Sequence, residues 1–319
     1  MDAIPSLEIL SPGPLTTVQD LGRYGFGRYG VPPSGALDSF SLRVANLLVG
    51  NPETEAGLEI TLMGLKVRFL ADLVVALCGG DLQPHLNDTP FEMWRSQRVR
   101  KGDTLFLKAP RTGCRAYLAV GGGIALKPVL ASNSTNLASK FGGHEGRSLR
   151  RGDVLLSRNP ELHYWSAGRI LDSKRRPSYT GEWTFRVLFG PQDQDFEEES
   201  KKLFIESSFT VSTQSDRTGI RLSGPVLHRK RNLGDSIISE GIVPGAIQVP
   251  GDGQPIILLV ETITGGYRKI ATVITADLPL LGQAKPGNRL RFQEVSMQEA
   301  MGALQECENH INLLRKSTG

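Results

Sequence analysis

Short runs of apolar side chains, several of them alternating with polar ones, recur along the chain between Gly, Pro and Asp, and they predict β-strands. Leu65-Lys66-Val67-Arg68-Phe69 alternates most cleanly. Val74 to Leu77, Thr104 to Leu107, Tyr117 to Val120, Arg186 to Phe189 and Ile256 to Val260 are the other runs of this kind. Helical periodicity is rarer. Asp38 can cap a helix that carries Phe40, Val44, Leu47 and Leu48 on one face and stops at Gly50. Asp195 to Ser207 places acidic residues first and Lys201-Lys202 later, which suits a helix dipole. Ser296-Met297-Gln298-Glu299 is a capping box opening a C-terminal helix, with Ala300, Leu304, Cys307, Ile311 and Leu314 along one stripe. The pattern predicts a mainly β protein with a few peripheral helices.

Composition agrees, because 36 Gly and 19 Pro suit a chain rich in tight turns. A length of 319 residues is about twice an ordinary domain, so two domains are expected. The charged stretch Asp172 to Ser178, ending near Pro177, is the natural linker. It predicts an N-terminal β-domain over residues 1–175 and a C-terminal β-domain with its helix over 179–319. Weak internal echoes suggest duplication. Gly30-Val31-Pro32 resembles Gly241-Ile242-Val243-Pro244, and Thr17-Val18-Gln19-Asp20 resembles Thr213-Gln214-Ser215-Asp216.

Charge excludes more than it suggests. The balance of 37 basic to 33 acidic residues is too mild for a nucleic-acid partner, and the basic runs at Lys174 and Arg229 lack interleaved aromatics. Cys78, Cys114 and Cys307 form no disulfide framework, which fits a reducing cytoplasm. No apolar run approaches the roughly 18 residues that span a membrane, and the N-terminus does not read as a secretory signal. The five histidines lack metal-binding spacing, so no metal is expected. There is no Gly-x4-Gly-Lys-Ser/Thr phosphate loop and no Gly-x-Ser-x-Gly elbow.

Three segments concentrate glycines with Gln, Asp, Arg, Glu and Lys, as the lining of a polar cleft would. The first runs from Pro14 through Asp20 and Arg23 to Ser34-Gly35. The second is Gln214-Ser215-Asp216-Arg217-Thr218-Gly219. The third holds Glu240, Gln248 and Gln254 and ends on Gly265-Gly266-Tyr267-Arg268-Lys269. Glycines let a backbone approach a ligand and present N–H donors to it. The competing reading is that Asp20, Asp216 and Asp252 only satisfy turn backbones.

The motifs Thr16-Thr17-Val18-Gln19-Asp20-Leu21-Gly22-Arg23 and Ser239-Glu240-Gly241 through Gln248-Val249-Pro250 resemble the allophanate hydrolase subunit 2 family. The likeness runs from about Leu7 to Phe292, with a departure over Glu261 to Thr264 where members commonly carry Gln-Thr-Thr. This family includes a bacterial 5-oxoprolinase subunit and the antagonist of a sporulation-kinase inhibitor. It is also related to part of the carboxyltransferase domain of urea carboxylase. The resemblance implies two cyclophilin-like β-barrel domains and a complex with an allophanate hydrolase subunit 1-type protein. A third 5-oxoprolinase subunit is implied with them, as are a small amide or lactam substrate and ATP bound by the complex.

Such chemistry needs cations and N–H donors for developing charge, and a carboxylate to move protons. The catalytic candidates are Arg217 and Lys269 as cations and Glu240 or Asp216 as carboxylate. Gln214, Gln248, Gln254, Gly265, Gly266, Tyr267, Asp20, Arg23 and Ser34 are the candidate substrate contacts. Two alternatives compete with the hydrolase subunit. One is a biotin-dependent carboxyltransferase component, with biotin arriving on another chain because none of the five Met precedes Lys. The other is a non-catalytic antagonist of a kinase-inhibitor protein.

Overall fold

A computed structural model describes residues 3–231 and 233–318. By its contacts the chain divides into two compact units. The first contains the chain up to Arg23, Ser34–Tyr179 and the chain from Asn309 onward, and the second contains Tyr24–Pro33 and Thr180–Glu308.

The first unit opens with β1 (Ala3–Pro12), β2 (Leu15–Gln19) and helix α1 (Ser39–Leu48). Then come β3 (Gly57–Thr61), β4 (Leu65–Phe69), β5 (Leu73–Asp81), β6 (Pro84–Leu86) and β7 (Thr89–Pro90). It closes with β8 (Ser96–Val99), β9 (Thr104–Leu107), β10 (Thr112–Val120) and β11 (Val154–Arg158). They pair into a six-stranded sheet, β11-β1-β4-β9-β6-β7, and a five-stranded sheet, β2-β3-β10-β5-β8. Alternation decides which side chains turn inward: Leu65, Val67 and Phe69 of β4 are buried, while Lys66 and Arg68 are exposed. Leu7, Ile9 and Val67 from one sheet share a single core with Leu58, Val75 and Leu118 from the other. Each such side chain contributes roughly 1.5–3 kcal/mol by leaving water.

Helix α1 begins as the sequence predicts. Asp38 is its N-cap and its side chain accepts from the Ser41 N–H at 2.9 Å. Beneath it lies a buried polar network. The Tyr117 hydroxyl donates to Glu59 and accepts from the Asp38 N–H, both at 2.8 Å, while Tyr179 donates to Asp38 Oδ2 at 3.1 Å. Burial, then the Glu59 and Asp38 carboxylates, push the Tyr117 hydroxyl well above the ordinary tyrosine value, and burial does the same for Tyr179. A raised folded-state value means that the unfolded chain loses these protons first. The stability they confer is therefore complete below about pH 10 and is lost as pH rises beyond it. Urea unfolding midpoints between neutral and strongly alkaline pH should fall above that point, and Tyr117→Phe should flatten the fall.

The second unit is built from β12 (Glu182–Phe189), helix α2 (Glu198–Glu206), β13 (Phe209–Val211), β14 (Gly219–Ser223) and β15 (Glu240–Gly241). It continues with β16 (Ala246–Val249), β17 (Ile256–Leu258), β18 (Thr264–Gly265) and β19 (Arg268–Val273). A short helix α3 (Leu278–Leu281), β20 (Arg289–Glu294) and the first part of helix α4 (Met297–Thr318) follow, the helix residues from Asn309 onward being counted with the first unit. Seven strands close a barrel in the order β12-β19-β16-β17-β14-β13-β20, with β12 and β20 pairing in parallel. Trp183, Phe185 and Val187 of β12 are buried at every second position, as are Leu290 and Phe292 of β20. Phe204 of α2 stacks on Phe292 with ring centroids 4.5 Å apart. The ribbon β15–β18 stands apart from the barrel ladder.

The mainly β reading therefore holds, and Ser296 and Glu299 form the expected capping box at 2.7–3.2 Å. One detail differs. The buried stripe of α4 runs through Ala303, Ile311 and Leu314, while Leu304 is 38% exposed. Among the described residues no helix is long and apolar enough to cross a membrane.

Candidate active site

A constellation forms in the second unit where β19 begins. Strands β16 and β19 pair antiparallel with a register shift at Ile247/Gln248, which sets Gln248 opposite Lys269. Paired residues in a sheet project to one face, so both side chains point the same way. The ribbon sets Glu240 opposite Gly265. Glu240 Oε1 accepts from the Lys269 ammonium and also from Gln192 Nε2, the latter at 2.8 Å. Gln192 is engaged at its other end as well, because its Oε1 accepts from the Lys269 backbone N–H at 3.1 Å.

The pair is lopsided: the Lys269 side chain is 7% exposed and that of Glu240 is 42% exposed. A buried ammonium is held by a carboxylate that solvent can reach. The hydrogen bond from Lys269 and, more weakly, that from Gln192 hold the Glu240 carboxyl below the usual glutamate range against its partial burial. Glu240 is thus a carboxylate at neutral pH, suited to accepting a proton rather than donating one.

Backbone geometry packs this place tightly. A Cβ added at Gly265 would stand 2.3 Å from Gln248 Nε2. Gln248 meanwhile donates to the Tyr267 carbonyl at 3.1 Å, and Gly266 O accepts from the Ile237 N–H at 2.8 Å. Gly265→Ala should displace the Gln248 amide. In an activity assay it should lower turnover about tenfold or more while leaving the unfolding midpoint within experimental scatter.

The remaining candidates have other partners. Arg217 donates to Glu261 at 2.6 Å in an ion pair whose side chains are 3% and 4% exposed. Asp216 closes its own turn: its Oδ1 accepts from the Thr218 and Gly219 N–H groups at 2.7 and 3.1 Å. Gln214 is exposed on that turn. Gln254 clamps Gly224, accepting from its N–H at 2.8 Å and donating to its carbonyl at 3.2 Å.

Asp20, Arg23 and Ser34 belong to the first unit, where they fasten the segment around Ser132–Phe141. Asp20 accepts from Gly22 N, Ser132 and Ser134, and Arg23 donates to the Ser134 carbonyl and lies over the Phe141 ring. Ser34 accepts from Asn136 at 3.0 Å. Of the three aspartates weighed as turn residues, Asp20 and Asp216 accept from backbone N–H groups two residues on, and Asp252 accepts from the Gln254 N–H at 3.0 Å.

Sequence reading missed Gln192, which bridges Glu240 to the β19 backbone. It also missed Arg268, which donates to Asp195 at 2.7 Å and to the Gly234 carbonyl at 2.6 Å. The signal for Gln192 was Gly190-Pro191-Gln192-Asp193, a turn sequence directly after a predicted strand. Among the described residues, no group of three His, Cys, Asp or Glu could hold a metal ion.

Known proteins place the chain in context. The C subunit of 5-oxoprolinase from Escherichia coli is 40% identical over 314 residues, covering 97% of each chain. A urea amidolyase from Lachancea kluyveri is 38% identical over 92% of this chain, but only 17% of that much longer protein is covered. The solved K. lactis urea amidolyase superposes with a TM-score of 0.92 at 34% identity, over 98% of this chain and 20% of that one. The chain thus spans nearly all of the E. coli relative and about a fifth of the solved amidolyase. Residues 29–294 match the family described as carboxyltransferase domain, subdomain A and B, and the chain belongs to that family.

Proposed function

We propose that this chain is one subunit of a cytoplasmic, ATP-dependent hydrolase that opens the lactam of 5-oxoproline to glutamate. It would act with an allophanate hydrolase subunit 1-type partner and a third subunit. The end-to-end match to the C subunit of E. coli 5-oxoprolinase carries this reading.

In the overall change, the oxygen of water bonds to the lactam carbonyl carbon. The C–N bond breaks, and the ring nitrogen gains a proton and leaves as the amine of glutamate. ATP held by the complex would be cleaved to ADP and phosphate, supplying the activation that an unreactive amide needs. In this reading Lys269 faces the charge developing on the carbonyl oxygen, and a buried ammonium does this more strongly than a hydrated one. Glu240 takes the proton of the attacking water. Substrate entering between them separates the resting pair, and Glu240 becomes more basic as its ammonium partner turns to the substrate. Gln248 orients the amide, and the Gly265-Gly266-Tyr267 backbone shapes the approach. Arg217, neutralised by Glu261, holds the barrel rather than the substrate. Because the Glu240 carboxyl lies low, the acidic limb of the kcat/KM profile should fall below the ordinary glutamate value of about 4.3.

A second reading has its own observation: the matched family is a carboxyltransferase domain, and urea amidolyases share it. There the same ammonium and amides would face a urea-like carbonyl, with biotin arriving on another chain. One comparison separates the two. The complex assembled from this chain and its genomic neighbours is offered 5-oxoproline with ATP, or urea with bicarbonate, ATP and a biotinylated carrier. Glutamate release with no carboxylation supports the hydrolase. Carboxylation alone supports the transferase, and a complex inactive in both points to an antagonist.

A further inference from the structure

The first unit holds a cavity of about 680 Å³ that the proposed chemistry does not use. We propose that it binds a small oxyanion carried on a flat apolar body, either an aromatic carboxylate or a nucleoside monophosphate.

Both acids at the cavity are already paired, Asp81 with Arg111 at 3.1 Å and Glu92 with Arg95 at 3.2 Å. Among the described residues, two of its cations are held only by neutral acceptors. Lys108 Nζ lies 3.1 Å from His85 Nε2, while His85 Nδ1 lies 3.0 Å from the Gln83 carbonyl. A carbonyl can only accept, so Nδ1 carries the proton and Nε2 offers its lone pair to the ammonium. Arg176 donates twice to the Leu171 carbonyl, each time at 3.0 Å. Among the described residues neither Lys108 nor Arg176 makes an ion pair, so both bring positive charge to the wall of one cavity. Arg111 adds a third cation, 68% exposed and shared with Asp81.

The apolar part is equally local. Phe91 and Trp94 line the same space and are each nearly buried, so aromatic surface stands beside the cations for a flat apolar body to pack on. The backbone is strained here as well. Gln83 and Trp94 both have positive φ, 52° and 63°, a conformation that costs non-glycine residues energy and is rare for one as bulky as Trp. Gly79, in β5 at the cavity wall, has φ 98°, and a Cβ there would stand 2.6 Å from the Arg115 carbonyl oxygen. The volume lies within the roughly 300–1,000 Å³ of small-molecule sites.

The test titrates the full chain with benzoate, adenosine 5′-monophosphate or inorganic phosphate in a calorimeter at low salt. Saturable binding of benzoate or of the nucleotide supports the proposal, and which of them binds identifies the oxyanion. Lys108→Met, a change at an exposed side chain, should weaken that binding roughly tenfold, as loss of one charge-assisted contact does. Arg176→Gln should weaken it comparably, with far-ultraviolet circular dichroism confirming that the variant is folded. No binding at millimolar ligand overturns the proposal. So does binding undiminished in Lys108→Met, and so does inorganic phosphate binding as tightly as the nucleotide.

Discussion

Lys269→Met should lower kcat for lactam opening by about a hundred- to thousandfold in the assembled enzyme, the usual cost of removing one donor from a developing oxyanion. Methionine has nearly the length of lysine and can fill the space its stem occupies, so packing is largely kept. Glu240, left without its ammonium, is 42% exposed at the side chain and can be hydrated, so the fold should tolerate the change. Steady-state kinetics on the variant complex, with its unfolding midpoint as control, provides the measurement. A fall in kcat with KM little changed assigns Lys269 to the transition state. A rise in KM alone would move it to ground-state binding of the substrate carboxylate. Unaltered kinetics would mean that Lys269 only pins the β15–β18 ribbon to the barrel.

The largest stability effect should come from the other buried cation. Glu261→Leu strands the Arg217 guanidinium, 3% exposed, without its carboxylate. Removing one partner of such a pair costs about 3–5 kcal/mol, because the remaining charge stays buried. Arg217→Met should cost a similar amount for the mirror reason. Combining the two substitutions should recover most of the loss, since two apolar side chains of similar volume need no hydration. Urea unfolding of the single and double variants closes the cycle. Single variants within about 0.5 kcal/mol of the parent would show that water reaches the pair and that it is not structural.

These two cations explain what could and could not be read from the chain. Strands were legible because one side chain in two must turn inward, and Leu65–Phe69 and Thr104–Leu107 are strands over the residues their pattern marks. Caps were legible too, since Asp38 and Ser296 act within three residues of themselves. The pairing of cations with carboxylates was not. Arg217 finds Glu261 from 44 residues away, whereas its neighbour Asp216 is consumed by its own turn. Lys269 and Glu240 were both singled out from motif resemblance, but Gln192, which bridges them, comes from 77 residues before Lys269. Local spacing carries no information about contacts set by barrel closure. Asp20, Arg23 and Ser34 show a second kind of contact that spacing does not reveal. A glycine-rich polar segment resembles a ligand cleft, yet its hydrogen bonds fasten one loop to another.

The most direct test is an add-back titration. The genomic neighbours of this chain are purified together without it, and glutamate release from 5-oxoproline with ATP is followed as the chain is restored. No glutamate should form in its absence, and activity should rise with added chain to saturation at a fixed molar ratio. Full glutamate release without this chain would contradict the proposed role.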